Sequence, residues 1–285
     1  MSNIVEVNGI SKRYGDFLAL DQVSFQIEPG SIVGLIGPNG AGKTTALKSL
    51  LGLTDFEGEM TVLGQDPRRG RHHVMERVCF IADVGVLPRW LRVSEALNYV
   101  EGIHPKFNRA KAEVLLEETK ISHRHKVKEL SKGMVTQLHL ALVMAIEADL
   151  LVLDEPTLGL DILYRKSFYE RLLNDYFDSQ TSIVISTHQV EEIESLLTHL
   201  LFINNGKIAL DCAMDDLSEI YAEALVPPEL WAQAQALAPI HEREVMGKKA
   251  MIFENVSAES LAPFGELHVP SVADLFVAKM RGDHS

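Results

Sequence analysis

A chain of 285 residues with 46 % apolar and 24 % charged side chains can build one large domain with an appendage or two modest ones, and its composition excludes a disordered polymer. Its 40 acidic against 27 basic residues leave a formal charge of −13, which weighs against a protein whose main task is to grip nucleic-acid phosphates. The two cysteines, Cys79 and Cys212, form no C-x-x-C pair and fit a reducing cytosol, and no stretch reaches the ~18 consecutive apolar residues of a membrane span. The first residues carry neither a basic start nor an apolar signal core, so a cytoplasmic location is expected and any membrane role falls to another chain.

Short strands are predicted at 4–7, 23–27 and 31–36, with Glu28-Pro29-Gly30 turning between the last two. Directly after them Gly37-Pro38-Asn39-Gly40-Ala41-Gly42-Lys43-Thr44-Thr45 fills G-x-x-x-x-G-K-[ST], followed by a helix start, which is the strand-loop-helix context of a phosphate-binding P-loop. Glycines there let consecutive N–H groups converge on an anion, and the helix N-terminus adds partial positive charge. Lys43 is placed for the outer phosphates and the Thr44 hydroxyl for Mg²⁺. The basic run Arg68-Arg69-Gly70-Arg71 reads as a solvated loop, and His72-His73 and His123-x-His125 lack zinc spacing.

From roughly 89 to 147 the pattern turns helical, with apolar residues at three- and four-residue spacing over 93–100, 109–119 and 132–146. Strands and helices then alternate: a strand at 150–153 ending in Asp154 and Glu155, a helix at 162–176, a strand at 182–186, a helix at 189–196 and a hairpin at Asn204-Asn205-Gly206. This predicts an α/β fold with a mostly parallel sheet, into which the helical block is inserted. Beyond Pro227-Pro228 a helix at 229–237, strands at 240–246 and 250–254 around Gly247-Lys248, and a final helix at 272–280 predict a small α+β accessory region at 223–285 behind a main domain at 1–222.

Four segments complete an ordered set with the P-loop. Leu130-Ser131-Lys132-Gly133-Met134 opens a helix, Asp154-Glu155 ends a strand, Pro156-Thr157-Leu158-Gly159-Leu160-Asp161 follows at once, and Ser186-Thr187-His188 closes the next strand. Over residues 3–217 this order resembles the ATP-binding cassette family: Walker A, signature, Walker B, D-loop and H-loop. The resemblance implies a P-loop NTPase core with an N-terminal antiparallel β subdomain and ATP and Mg²⁺ as ligands. It makes Asp154 the Mg²⁺ carboxylate, Glu155 the base that polarises the attacking water, His188 the switch histidine and Tyr14 the aromatic that stacks on adenine. In the family Ser131 and Gly133 of the signature face the ATP of an opposing subunit, and Asp161, which ends the D-loop, counts among the nucleotide-binding residues, so a homodimer or a pair with a similar chain is implied, working with an integral-membrane permease on the inner face of the cell membrane.

Two departures stand out. Lys132 and Met134 replace a Gly and a Gln of the commoner signature, and Asp83 stands where a Q-loop glutamine usually offers its neutral amide to the metal. Such signatures resemble bacterial type 2 efflux-type ATPases, so export is the expected direction. Residues 84–104 would form the groove for the permease, with Trp90 either presented there or packed beneath the helical block. A soluble ATPase acting on ribosomes or DNA is the alternative from another class; a single cassette without coiled-coil insertion or basic arm counts against it. A module that senses ATP without turnover is a third, opposed by the joint presence of Glu155 and His188.

Overall fold

The structure is a computed structural model and describes residues 3–81, 87–177 and 181–281. Strands β1 (Val5–Tyr14), β2 (Phe17–Ile27), β3 (Ile32–Ile36) and β4 (Glu57–Val62) open the chain. Of these, β2, β1 and β4 form an antiparallel sheet in that order, burying Val5, Val7, Ile10, Val23 and Phe25 on its inner face. The first two strands run well past the predicted 4–7 and 23–27. Register shifts along β1 and left-handed backbone at Gly9 and Gln22 break the two-residue alternation from which strand ends are read.

The main sheet adds β5 (Val78–Ile81), β6 (Leu150–Asp154), β7 (Ser182–Thr187), β8 (His199–Asn204) and β9 (Lys207–Ala213), in the order β5-β6-β7-β3-β8-β9. All neighbours are parallel except β8 and β9. Strands β3, β6 and β7 are buried from end to end, as continuous apolar runs covered on both faces require. The turn from β8 to β9 uses left-handed Asn205 and Gly206, the two-residue geometry that suits strand twist. Registers place Ile36 beside Thr187 and Asp154 beside Ser186, so the carboxyl ends of β3, β7 and β6 share one edge, where open α/β sheets bind ligands.

Between β5 and β6 lie the predicted helices, at Val93–Ile103, Arg109–Glu117 and Lys132–Met144. Asn108 and Ser131 cap the latter two, each accepting a backbone N–H three residues on. Trp90 is 70 % exposed, so it does not pack beneath this layer. The segment predicted as a helix at 189–196 is instead two 3₁₀ turns, Val190–Glu192 and Glu194–Leu196. Buried Val190 and Ile193 recur at a spacing of three, which a 3₁₀ turn satisfies as well as an α-helix does. The helix expected over 162–176 stays α only for Ile162–Arg171 and widens to a π turn over Leu172–Tyr176.

The chain closes with β10 (Tyr221–Val226), β11 (His241–Val245), β12 (Lys248–Glu254) and β13 (Leu267–His268), an antiparallel sheet ordered β11-β12-β10-β13. It has its own small core around Ala224, Met251, Phe253, Leu261 and Phe264. The final helix, Val272–Arg281, returns to the main core: Phe276 meets Phe202 edge to face at 5.5 Å, and the Val272 N–H donates to Glu194 Oε1 at 3.1 Å. That same helix is fastened to β12 by Lys279, 2.7 Å from Glu254.

Burial on β5 pushes the Cys79 thiol up from 9.0 to about 12. Because only the unfolded chain ionises this group near pH 9, its contribution to stability is intact below pH 9 and lost as pH rises toward 12. Cys79 is therefore expected to resist iodoacetamide at neutral pH in the native protein and to react in urea, as mass spectrometry of the alkylated peptide would read directly.

Candidate nucleotide site

The P-loop leaves β3 at Ile36, and the Gly37 N–H reaches back to Thr187 O at 3.4 Å. A Cβ on Gly37 would lie 2.4 Å from Ile203 O, and one on Gly42 would lie 2.6 Å from Ala19 O with φ at +112°. Both positions therefore demand glycine, and Gly42 is the residue that launches the helix Lys43–Leu50. No acidic side chain occupies that helix's first turn, which leaves its positive end available to an anion. Ala41 is buried in the core, whereas Pro38, Asn39 and Gly40 are exposed at the loop's crest.

Lys43 is 6 % exposed, and its ammonium is held from inside the loop. Nζ donates to Gly37 O at 2.7 Å and to Pro38 O at 3.2 Å, and lies 3.4 Å from Glu155 Oε1. Two of its donors are thus spent on loop carbonyls, and its charge faces a carboxylate. Beside it a cleft of about 270 Å³ is bordered by Tyr14, Phe17, Gly40, Thr44, Thr45 and Glu155. Tyr14 and Phe17 are 48 % and 61 % exposed at the β1–β2 turn, offering two aromatic faces to a flat ligand. Phe17 is not among the residues the sequence singles out; its only sequence signal is an aromatic ring just past the turn at Gly15.

The two carboxylates at the end of β6 have opposite surroundings. Asp154 is 2 % exposed, and its Oδ1 accepts from Ser186 Oγ at 2.5 Å. Glu155 takes a left-handed φ of +47°, rare for a residue with a side chain, and its N–H donates to Ser186 O at 3.2 Å and Oγ at 3.1 Å. That turn sends its carboxylate back over the P-loop. Oε2 sits 2.9 Å from His188 Nδ1, while the buried Oε1 accepts no hydrogen bond and has Lys43 as its cation. Ser186 thus serves both acids, a role visible only once β6 and β7 are side by side.

Ser131, Gly133 and Asp161 do not border this cleft. Ser131 caps Lys132–Met144, Gly133 faces open space, and Asp161 caps Ile162–Arg171 by accepting the Tyr164 N–H at 3.0 Å. Lys132 of the unusual signature lays its stem along Gly159, whose ideal Cβ would be 3.1 Å from Lys132 Cε. Asp83 lies outside the described residues. A separate apolar groove of about 300 Å³, between Arg109–Glu117, Lys132–Met144 and Ile162–Arg171, holds none of the predicted site residues.

Residues 20–158 match the family model for the ABC transporter. Among curated proteins, the "Nod factor export ATP-binding protein I" of Burkholderia thailandensis is 35 % identical over 96 % of this chain and 95 % of its own length. The protein of the same name from Cupriavidus metallidurans is 32 % identical over 89 % and 86 %. A solved "ATP binding subunit of ABC transporter" superposes with a TM-score of 0.68 at 28 % identity, over 76 % of this chain and 92 % of its own. The strand-loop-helix, the paired carboxylates and the histidine opposite them therefore sit in an ABC ATPase fold, and the chain belongs to the ABC transporter ATP-binding family, whose members bind and hydrolyse ATP to drive transport.

Proposed function

We propose that this chain is the ATPase subunit of an exporter, acting from the cytoplasmic face of the membrane on a separate integral-membrane permease, as a homodimer or beside a similar chain. Among the described residues no helix is long and apolar enough to cross a membrane. Export is supported by the relatives' printed names. We divide the chain into a main domain, 1–222, and an accessory region, 223–285, with the junction moved just ahead of Tyr221 so that β10 stays whole in the accessory sheet, and take the surface around Trp90 as the permease contact; no nucleic-acid partner is proposed.

In this reading Tyr14 stacks on adenine, residues 37–45 cradle the phosphates, and Lys43 turns its ammonium toward them. The observation that carries hydrolysis is Glu155: one oxygen is fixed by His188 and the other is buried without a hydrogen-bond donor. Such an oxygen suits a water proton, so Glu155 accepts that proton as the water oxygen attacks the outer phosphorus and the bond to the ADP oxygen breaks. His188 holds the carboxylate in line. Thr44 and Asp154 offer hard oxygens at the cleft and at the neighbouring strand end, a donor set that fits Mg²⁺, which binds through one or two protein oxygens together with substrate phosphates. When bound, the metal neutralises phosphate charge. Ser131, Gly133 and Asp161 are assigned to the ATP of the opposing subunit, where a helix N-terminus capped by Ser131 can face its outer phosphate.

Affinity purification of the Glu155→Gln protein with ATP from gently solubilised source cells tests the transporter reading. A polytopic membrane protein is the expected companion. Ribosomal proteins or nucleic acid in its place would favour the soluble alternative.

A further inference from the structure

We propose that Arg165 is a positioning residue for hydrolysis, a single side chain that fastens the segment after the Walker B acids to the segment carrying His188. Arg165 lies in the first turn of Ile162–Arg171, and its side chain is 20 % exposed. Its guanidinium bridges two stretches far apart in sequence. Nε donates to Leu160 O at 2.9 Å, within the D-loop, whereas Nη1 donates to Gln189 Oε1 at 2.6 Å and to Glu192 Oε1 at 2.5 Å. Gln189 is the neighbour of His188, and its backbone N–H is itself tied to Thr187 Oγ1 at 2.9 Å at the end of β7.

The connections run without a break from Leu160 through Arg165 and Gln189 to His188, and from His188 Nδ1 to Glu155 Oε2. His188 is exposed and heads a loop of two 3₁₀ turns, so β7 alone does not fix where its ring points. The planar fork of an arginine, with donors on separate nitrogens, can meet acceptors on both segments at once; a lysine ammonium on a flexible stem cannot hold that angle. The bridge makes no contact with the Tyr14 and P-loop cleft, so it acts on turnover and leaves nucleotide binding alone. The inference rests on the reading of Glu155 and His188 as the hydrolytic pair.

The test uses the purified full chain, with steady-state phosphate release and equilibrium ATP binding measured on Arg165→Lys, Arg165→Ala, Gln189→Ala and the Arg165→Ala/Gln189→Ala pair. Arg165→Lys, which keeps the charge beside Glu192, is expected to lower kcat about ten- to a hundredfold, the cost of a small misplacement, with KM and Kd for ATP within about twofold of the parent. Because Arg165 and Gln189 act along one path, the double variant should fall no further than Arg165→Ala alone. A folded Arg165→Lys protein with full kcat, KM and Kd rising together, or multiplicative losses in the pair would each overturn the proposal. Glu155→Gln is assayed alongside. If it hydrolyses normally, the hydrolytic reading itself fails; if it is inactive while the Arg165 and Gln189 variants are not, only the bridge is refuted.

Discussion

Glu155→Gln is expected to lower ATP turnover by about 10²- to 10⁴-fold, the range of a positioned general base, while leaving ATP affinity close to that of the parent. The substitution is nearly isosteric. The amide oxygen can still meet His188 Nδ1, and the left-handed backbone at this position and its bonds to Ser186 are untouched because they involve only main-chain atoms of residue 155. What disappears is the negative charge and the proton acceptor on the buried oxygen. Steady-state phosphate release against equilibrium binding of a fluorescent ATP analogue separates the two effects. If turnover survives in a variant that binds ATP, the base lies elsewhere and the short contact between Glu155 and His188 is structural.

Much of this site is readable in one dimension because its parts are local. The P-loop is contiguous, so its glycine spacing shows in the sequence, even though the backbone atoms that require glycine at 37 and 42, Ile203 O and Ala19 O, come from β8 and β2. Asp154 and Glu155 are readable for the same reason, as polar residues ending a five-residue buried strand. Phe17, Ser186 and Arg165 are not, since each acquires its role from a neighbour that the fold supplies. Ser186 matters because β6 and β7 pair in a register that sets it beside Asp154, and Arg165 because a helix turn faces a loop beyond the next strand. In the N-terminal sheet, register shifts along β1 blur the strand ends, and β4 is missing from the sequence reading altogether. Strand β4 buries only Met60 and Val62 among charged neighbours, so no apolar period marks it. The return of the last helix to the main core through Phe202 and Phe276 is likewise a long-range pairing that periodicity along the helix cannot announce.

Lys43→Met is expected to weaken ATP binding about 10- to 100-fold, the worth of one or two charge-assisted hydrogen bonds, and also to destabilise the nucleotide-free protein. Methionine retains the buried stem packing, so the second effect isolates the ammonium. Its removal leaves Gly37 O, Pro38 O and Glu155 Oε1 without the donor and cation they now share. Unsatisfied buried acceptors carry a cost on the order of 1–3 kcal/mol in urea unfolding. A cycle with Glu155→Gln then assigns that cost. If the buried carboxylate is the main loser, adding Glu155→Gln to Lys43→Met should restore on the order of 1 kcal/mol, because a neutral amide tolerates the loss of its cation better than a carboxylate does. Strictly additive stabilities would mean that the lysine serves the P-loop carbonyls alone, and that the poise of Glu155 over the loop comes entirely from its left-handed backbone and from His188.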